Sequence, residues 1–259
     1  MNRKRQQGLS MIELLMALLL GAVLSMAVAQ VVITNKLSYL FQRAQADNQS
    51  NASFTLQWLD RQLAKTGFKR RPDQPLNAAF PALSEAQTGV AGCAFDAGEV
   101  IRPVPGKALC IRYQPSDRQE LDCLGNGRPA NTASLARPYA QPLEAYVEKL
   151  SINTSQQLVC TSKDGAATLV EGIAEVRFDF GVRLPNSLTL ARYTATPATE
   201  EHIRSVRFAI LISTPLSALA GGSNSRAWRY WYGTAQPASA GDQLYQVVKG
   251  TTALRNLLP

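Results

Sequence analysis

The acidic residue Glu13 lies at the edge of an apolar run, where a carboxylate is costly. Residues 14–33 contain no charged side chain, whereas Arg3, Lys4 and Arg5 precede them. A carboxylate in hydrocarbon becomes tolerable when it meets a cation. We therefore expect Glu13 either to pair with an amine or to lie at the level of the lipid headgroups.

The four cysteines, Cys93, Cys110, Cys123 and Cys160, are a second group with chemical potential. They lack the CxxC spacing of zinc and redox sites. An even number of cysteines beyond a membrane-targeting segment is typical of two disulfides in an oxidising compartment. The sequence leaves three pairings open.

Catalytic groups are sparse. His202, between Glu201 and Ile203, is the only histidine and is expected on the surface at the start of a strand. The chain has no GxSxG, HExxH or phosphate-binding Gly-Lys-Ser run. We therefore predict that the protein is not an enzyme and that it holds no cofactor.

The aromatic cluster Trp228–Tyr232 contains one cation, Arg229, and such a cluster can stack on nucleic acid bases. Alternating aromatic residues in a strand more often pack in a core or against a partner. The net charge of +8 could indicate nucleic acid, anionic lipid or only a solvated basic surface, and the basic residues after residue 72 are scattered. We interpret them as a solvated surface and do not expect nucleic acid as a partner.

One long helix should carry Glu13. The basic residues before the apolar run favour an orientation with the remainder of the chain outside the cytoplasm, and residues 9–34 are long enough to cross a bilayer. A secretory signal cleaved after Ala27-Val28-Ala29 is the alternative. No proline occurs before Pro72, and apolar residues continue at helical spacing, which favours a retained helix over about residues 9–66, within a segment that ends at residue 71. These apolar positions are Leu37, Leu40, Phe41, Ala44, Ala52, Leu56, Leu59 and Leu63.

The remainder, residues 72–259, is predicted to form a β-rich head. Residues 72–100 show no clear period and are predicted to be irregular, and short apolar runs separated by turn residues follow. The predicted strands are Ala108–Tyr113, Tyr146–Ile152, Gln157–Thr161, Val170–Phe180 and Arg204–Ser213. A long helix followed by antiparallel strands predicts an α+β fold.

The segment Gly8-Leu9-Ser10-Met11-Ile12-Glu13 resembles the class III signal of type IV pilins and pseudopilins. The resemblance implies a leader of residues 1–8, which a prepilin peptidase removes before methylating the amine of Leu9. Leu9 stands where the family usually has Phe. Glu13 becomes the fifth mature residue and is expected to face the amine of a neighbouring subunit during assembly. Loss of the leader removes three positive charges, so part of the basic balance reflects topology.

Much of the chain is similar to the PilW family of minor pilins. The similar segments are Leu59–Phe68, Leu169–Ile173, Phe180–Val182, Arg192-Tyr193, Ile203–Leu211 and Thr251–Asn256. Resemblance to this family implies a type IV pilin-like fold, with the long helix packed on an antiparallel β-sheet head. The implied function is a minor pilin that primes pilus assembly at or near the tip.

The same resemblance implies the surroundings of the protein. Its partners would be the inner membrane, the prepilin peptidase, the major pilin and other minor pilins, with a tip adhesin as a candidate further partner. The head would lie in the periplasm and later at the cell surface. Relatives suggest the cysteine pairs Cys93–Cys110 and Cys123–Cys160. Many have an acidic turn where this chain has Arg183–Ser187, so no metal is expected there.

Two other functions share the N-terminal features. A type II secretion pseudopilin has the same kind of signal and helix. A membrane-anchored DNA-uptake or adhesive module is a further alternative. The PilW-like C-terminal half argues against the pseudopilin, and the binding module stays open.

Overall fold

The long helix α1 spans Met11–Lys65 in the computed structural model, which describes residues 10–117, 119–127, 144–185, 187, 189–215, 225–234 and 243–257. At 1.5 Å per residue its 55 residues extend about 82 Å. The helix ends where predicted, because Gly67 adopts a left-handed backbone (φ 72°) and its N–H donates to the carbonyl of Arg112.

The second half of α1 buries one stripe against the head. This stripe consists of seven residues at helical spacing: Ala44, Asn48, Ala52, Thr55, Leu59, Gln62 and Leu63. The predicted stripe was wrong in two respects. Phe41 is 40% exposed, and Asn48, a polar residue that is not among the predicted apolar positions, is buried. Asn48 is tolerated there because its amide donates to the carbonyl of Leu244 and accepts from the hydroxyl of Thr214.

The first sheet is antiparallel and has the order β1-β2-β3-β4-β5. Its strands are β1 (Ile101–Val104), β2 (Ala108–Tyr113), β3 (Tyr146–Ile152), β4 (Gln157–Ser162) and β5 (Gly165–Glu171). The segment predicted to be irregular before β1 contains two short helices, α2 (Leu76–Ala79) and α3 (Glu85–Thr88). Four residues are too few to show a helical period in the sequence.

The second sheet has the order β7-β6-β8-β9 and is also antiparallel. It consists of β6 (Ile173–Arg183), β7 (Arg192–Thr194), β8 (His202–Pro215) and β9 (Gln243–Ala253). Helix α4 (Arg226–Tyr232) lies between β8 and β9 in the chain, and a 3₁₀ turn follows at Arg255–Leu257. The α+β architecture, with a long helix packed on antiparallel sheets, is confirmed.

The predicted strand Val170–Phe180 is wrong as a single element. It is divided at Gly172, where the chain leaves the first sheet and begins the second. Gly172 has φ 74°, and a Cβ there would lie 2.6 Å from the carbonyl oxygen of Ser213. Only glycine fits this crossing, because the left-handed backbone and the close approach both exclude a side chain.

The core lies between α1 and the two sheets. Val206, Phe208, Ile210 and Ile212 of β8 are all buried, as expected for alternate residues on one face of a strand. Leu211, on the opposite face, is buried as well because Trp231 of α4 and Tyr245 of β9 cover it. Helix α4 therefore makes β8 a strand with two covered faces.

Candidate assembly interface

The first half of α1 exposes apolar side chains all round. Met11 is 85% exposed, and Leu18, Leu24 and Ile33 are each about three-fifths exposed or more. Among the described residues, α1 is the one helix long and apolar enough to cross a membrane. A surface of this kind requires lipid or other helices to cover it.

Glu13 lies in the first turn of this exposed half. Its carboxylate Oε2 accepts a hydrogen bond from the backbone N–H of Ser10 at 3.1 Å. An acidic side chain here also complements the positive end of the helix dipole. The predicted processing residues Gly8 and Leu9 lie outside the described residues.

A buried polar cluster joins the other half of α1 to the head, and sequence reasoning missed it. The carboxylate of Glu148, on β3, accepts from Gln62 Nε2 at 2.6 Å, from the Tyr113 hydroxyl at 2.8 Å and from the Cys123 N–H at 2.8 Å. Glu148 and Tyr113 are fully buried. Buried acids need such partners, because the loss of water would otherwise not be offset.

Electrostatics in this cluster favour protons on both acidic groups. Burial raises the pKa of Glu148, although its three hydrogen bonds and the nearby Lys65 oppose that shift. Burial and the adjacent Glu148 also raise the pKa of Tyr113. Lys65, at the end of α1, lies 3.3 Å from Glu120 and stands over the ring of Tyr113.

Two disulfides stabilise the first sheet. Cys93 is bonded to Cys110, and Cys123 to Cys160, with Cα separations of 5.6 and 6.3 Å. This is the pairing that the family resemblance suggested. Cys123, Cys160 and Glu148 lie together, but both sulfurs are used in the disulfide and neither is available as a thiolate metal ligand.

A buried arginine organises the segment before β1. The guanidinium of Arg112 donates to the backbone carbonyls of Phe80, Pro81, Asp96 and Glu99. It also lies between the rings of Phe80 and Phe95, with 5.3 and 4.7 Å to their centroids. Burial lowers the pKa of Arg112 to about 10. The Arg112 side chain thus holds together a segment that has little regular secondary structure of its own.

The aromatic cluster Trp228–Tyr232 is helical and not a strand, which corrects the expectation from the sequence. Ser225 caps the helix by accepting from the N–H of Trp228, and Gly233 ends it in a left-handed conformation. Trp228 packs on Tyr245 at 5.0 Å, and the indole N–H of Trp231 donates to Glu175 at 2.8 Å. The serine and glycine at its two ends were the sequence signals for this helix.

His202 begins β8 and is exposed, as predicted. Partial burial, and then Arg204 and Arg183, lower its pKa. The described residues place no serine or cysteine nucleophile in hydrogen bond contact with it.

A long helix with an uncovered apolar first half, packed on an antiparallel head, is typical of the type IV pilin class. Residues 3–29 match the family model of the prokaryotic N-terminal methylation motif, and residues 144–256 match the model described as Type IV Pilus-assembly protein W. The chain is therefore a PilW-like type IV pilin, and the pilin families to which it is related are structural and not enzymatic.

One solved structure shows a remote similarity to this chain. The fold is similar to a solved type IV-like pilin, TTHA1219, from Thermus thermophilus, with 10% sequence identity and a TM-score of 0.43. The match covers 82% of this chain and 97% of that one. No functionally curated protein matches the sequence.

Proposed function

We propose that this protein is a minor pilin that primes assembly of a type IV pilus and lies at or near the pilus tip. The observation that carries the proposal is the combination, in one chain, of the methylation motif, the uncovered apolar half of α1 and a PilW-like head. Its partners are other minor pilins and the major pilin.

In this proposal the protein first resides in the inner membrane with the head in the periplasm. Arg3, Lys4 and Arg5 stay on the cytoplasmic side. The two disulfides suit a head that folds in an oxidising compartment. A peptidase then cuts between Gly8 and Leu9 and creates the amine that a carboxylate requires as its partner.

Packing of helices, and not catalysis, is the proposed mechanism of assembly. The apolar half of α1 exchanges lipid for the helices of neighbouring subunits. The carboxylate of Glu13 meets the new amine of Leu9 in a neighbour, and this ion pair offsets the cost of a charge in an apolar environment. Tyr39 and Phe54, which are exposed on the outer face of α1, extend the contact surface towards the head.

The test is a deletion strain in which surface pili and protein secretion are scored separately. We expect loss of pili with normal secretion, restored by the full-length gene. Loss of secretion with normal pili would instead identify a secretion pseudopilin. Antibodies against the head should label the ends of sheared filaments, and labelling along their length would contradict a tip location.

A separate assay addresses the binding-module alternative. In a strain with Trp228→Ala and Arg229→Ala, piliation and DNA binding would be compared with those of the parent. Loss of DNA binding with intact pili would favour a DNA-uptake module. We expect DNA binding to be unchanged, because Trp228 is engaged with Tyr232 and Tyr245.

A further inference from the structure

Three basic side chains meet at one end of the second sheet. Arg183 of β6 lies directly opposite His202 of β8 in the strand register. Arg204 lies in the bulge next to them, where Gly181 pairs with Ser205 and Val182 pairs with Ile203. A bulge alters the direction of a side chain at a strand end. The three residues are called the basic triad below.

The basic triad differs from the other arginines of this sheet in its lack of acidic partners. Arg177, Arg192 and Arg207 contact Glu175, Glu201 and Asp179 at 4.0, 2.8 and 3.2 Å. Within the described residues, neither Arg183 nor Arg204 forms an ion pair. The second sheet thus pairs its other arginines with acids, whereas in the described part of the chain no acid is paired with this group.

Polar atoms inside the basic triad are buried without a partner. The Nε atoms of Arg183 and Arg204 are both inaccessible to solvent and make no hydrogen bond to the described residues. Arg183 does donate one bond from Nη1, to the carbonyl of Ser187 at 3.1 Å. An unpaired buried donor is costly, so the described residues satisfy these two guanidinium groups incompletely.

The nearest acid in the sequence is already engaged. Glu201 precedes His202, but its carboxylate accepts from the guanidinium of Arg192 and from the N–H of Ala198. Burial, followed by the charge of Arg183, lowers the pKa of Arg204. The basic triad is therefore a place where positive charges repel one another, and an anion would relieve that repulsion.

We propose that the basic triad binds a phosphate group. Two guanidinium groups match phosphate oxygens in fork geometry, and a protonated imidazole adds a third positive charge. A phosphomonoester carries about −1.5 to −2 charges at pH 7, so it balances this set better than a single carboxylate does. Inorganic phosphate and the phosphate of a membrane lipid share this chemistry. The site is independent of the role of the protein in pilus assembly.

His202 gives a direct readout because it is the only histidine of the chain. We suggest labelling the full-length protein, purified in a nonionic detergent without a polyhistidine tag, with ¹³C-histidine. The imidazole resonance is then titrated against pH in phosphate, in acetate and in chloride at equal ionic strength. Bound phosphate stabilises the imidazolium, so phosphate should raise the pKa of His202 relative to both other salts.

Two variants and one control make the result specific. Arg183→Gln and Arg204→Gln should each weaken the affinity for phosphate, measured through His202, roughly tenfold. This is the size expected when one charge-assisted hydrogen bond is lost. Arg207→Gln, which removes an arginine paired with Asp179 on the same sheet, should leave the response unchanged. Far-UV circular dichroism and the urea unfolding midpoint of each variant in chloride, unchanged from the parent, verify that the head is folded.

The source of the phosphate is distinguished in bicelles. Phosphatidylcholine bicelles with and without phosphatidic acid replace the salts, and a response to phosphatidic acid alone assigns the site to a lipid phosphate. A response to inorganic phosphate alone assigns it to the free anion. The proposal is overturned if neither source shifts His202, if acetate acts as strongly as phosphate, or if Arg207→Gln abolishes the response.

Discussion

Gln62 and Glu148 meet at 2.6 Å between Nε2 and Oε2, in a buried contact that joins α1 to the first sheet. The same carboxylate accepts from the backbone of Cys123, whose side chain is bonded to Cys160. One carboxylate therefore contacts both α1 and the disulfide-bonded part of the head.

Replacement of Gln62 by Ala removes a donor from this buried acid. We expect Gln62→Ala to lower the free energy of unfolding by about 1–3 kcal/mol, because one carboxylate oxygen loses its partner. Urea unfolding of the full-length protein in detergent, with disulfides intact, measures the change. Gln57→Ala, at an exposed position of the same helix, is the matched control and should change little. Equal effects of the two substitutions would contradict the role given to the contact.

The pH dependence of stability should reveal the burial of Glu148. Its pKa in the native protein is raised from the ordinary value of 4.5. Between the unfolded and native pKa values the native state binds more protons, so the contribution of Glu148 to the free energy of unfolding falls as pH rises through that window. The stability of the parent relative to the non-titrating variant Glu148→Gln should therefore decline from about pH 4 upward.

Urea unfolding of both proteins at a series of pH values tests this expectation. Glu200→Gln, at an exposed position, controls for the loss of one surface carboxylate. A difference between parent and Glu148→Gln that rises with pH would show that the native pKa is lowered and would refute the prediction.

Arg112 should not be replaceable by lysine. An ammonium group cannot donate in the fork geometry that reaches four backbone carbonyls, so Arg112→Lys should cost roughly 2–4 kcal/mol of unfolding free energy. Limited proteolysis should also show faster cleavage within residues 72–100. Arg61→Lys, on the exposed side of α1, supplies the comparison. If both variants resist protease like the parent, Arg112 does not support the segment.

Processing should produce a mature chain that begins at methylated Leu9. Mass spectrometry of the protein from the native membrane measures its N-terminus. Substitution of Gly8 by a large residue should leave residues 1–8 attached, while Gln7→Ala should be processed normally. A mature chain that begins at Gln30 would reject the pilin interpretation in favour of an ordinary secretory signal.

Glu13 should be needed for assembly but not for cleavage. We expect Glu13→Ala and Glu13→Gln to be cut normally and to reduce surface pili, since both remove the charge that pairs with an amine. Glu13→Gln retains an oxygen that accepts from the Ser10 N–H, so it separates the charge from the cap. Immunoblots and electron microscopy measure the two steps. Normal piliation of Glu13→Gln would show that the cap alone is required.

Elements with a strong local pattern were predictable from the sequence. The helix from Met11 to Lys65 and the alternation along β8 follow from period and composition. The division at Gly172 was missed because apolar residues continue across it, and the crossing depends on the close approach of Ser213. Helix α4 was missed because aromatic residues favour strands, whereas packing on Tyr245 and the two end residues outweigh that preference.

The buried polar residues were the least predictable part of the candidate interface. Gln62 and Glu148 are 86 residues apart and have no distinguishing neighbours in the sequence. They become partners only because the fold packs α1 against β3. Arg112 likewise meets its four carbonyls only in the folded head. By contrast, Gly8, Leu9 and Glu13 belong to one short contiguous motif, so the sequence alone is enough to predict roles for them.

The unbroken course of α1 has a mechanical consequence. The apolar first half of α1 and its buried stripe belong to one helix without a proline. A tensile load on the apolar end therefore travels along the helix axis to Leu59, Gln62 and Leu63. These residues transmit the load to the sheets as shear spread over many contacts. Extraction of the anchor then requires the whole stripe to slide at once, and the head resists pulling far better than it would on a flexible tether.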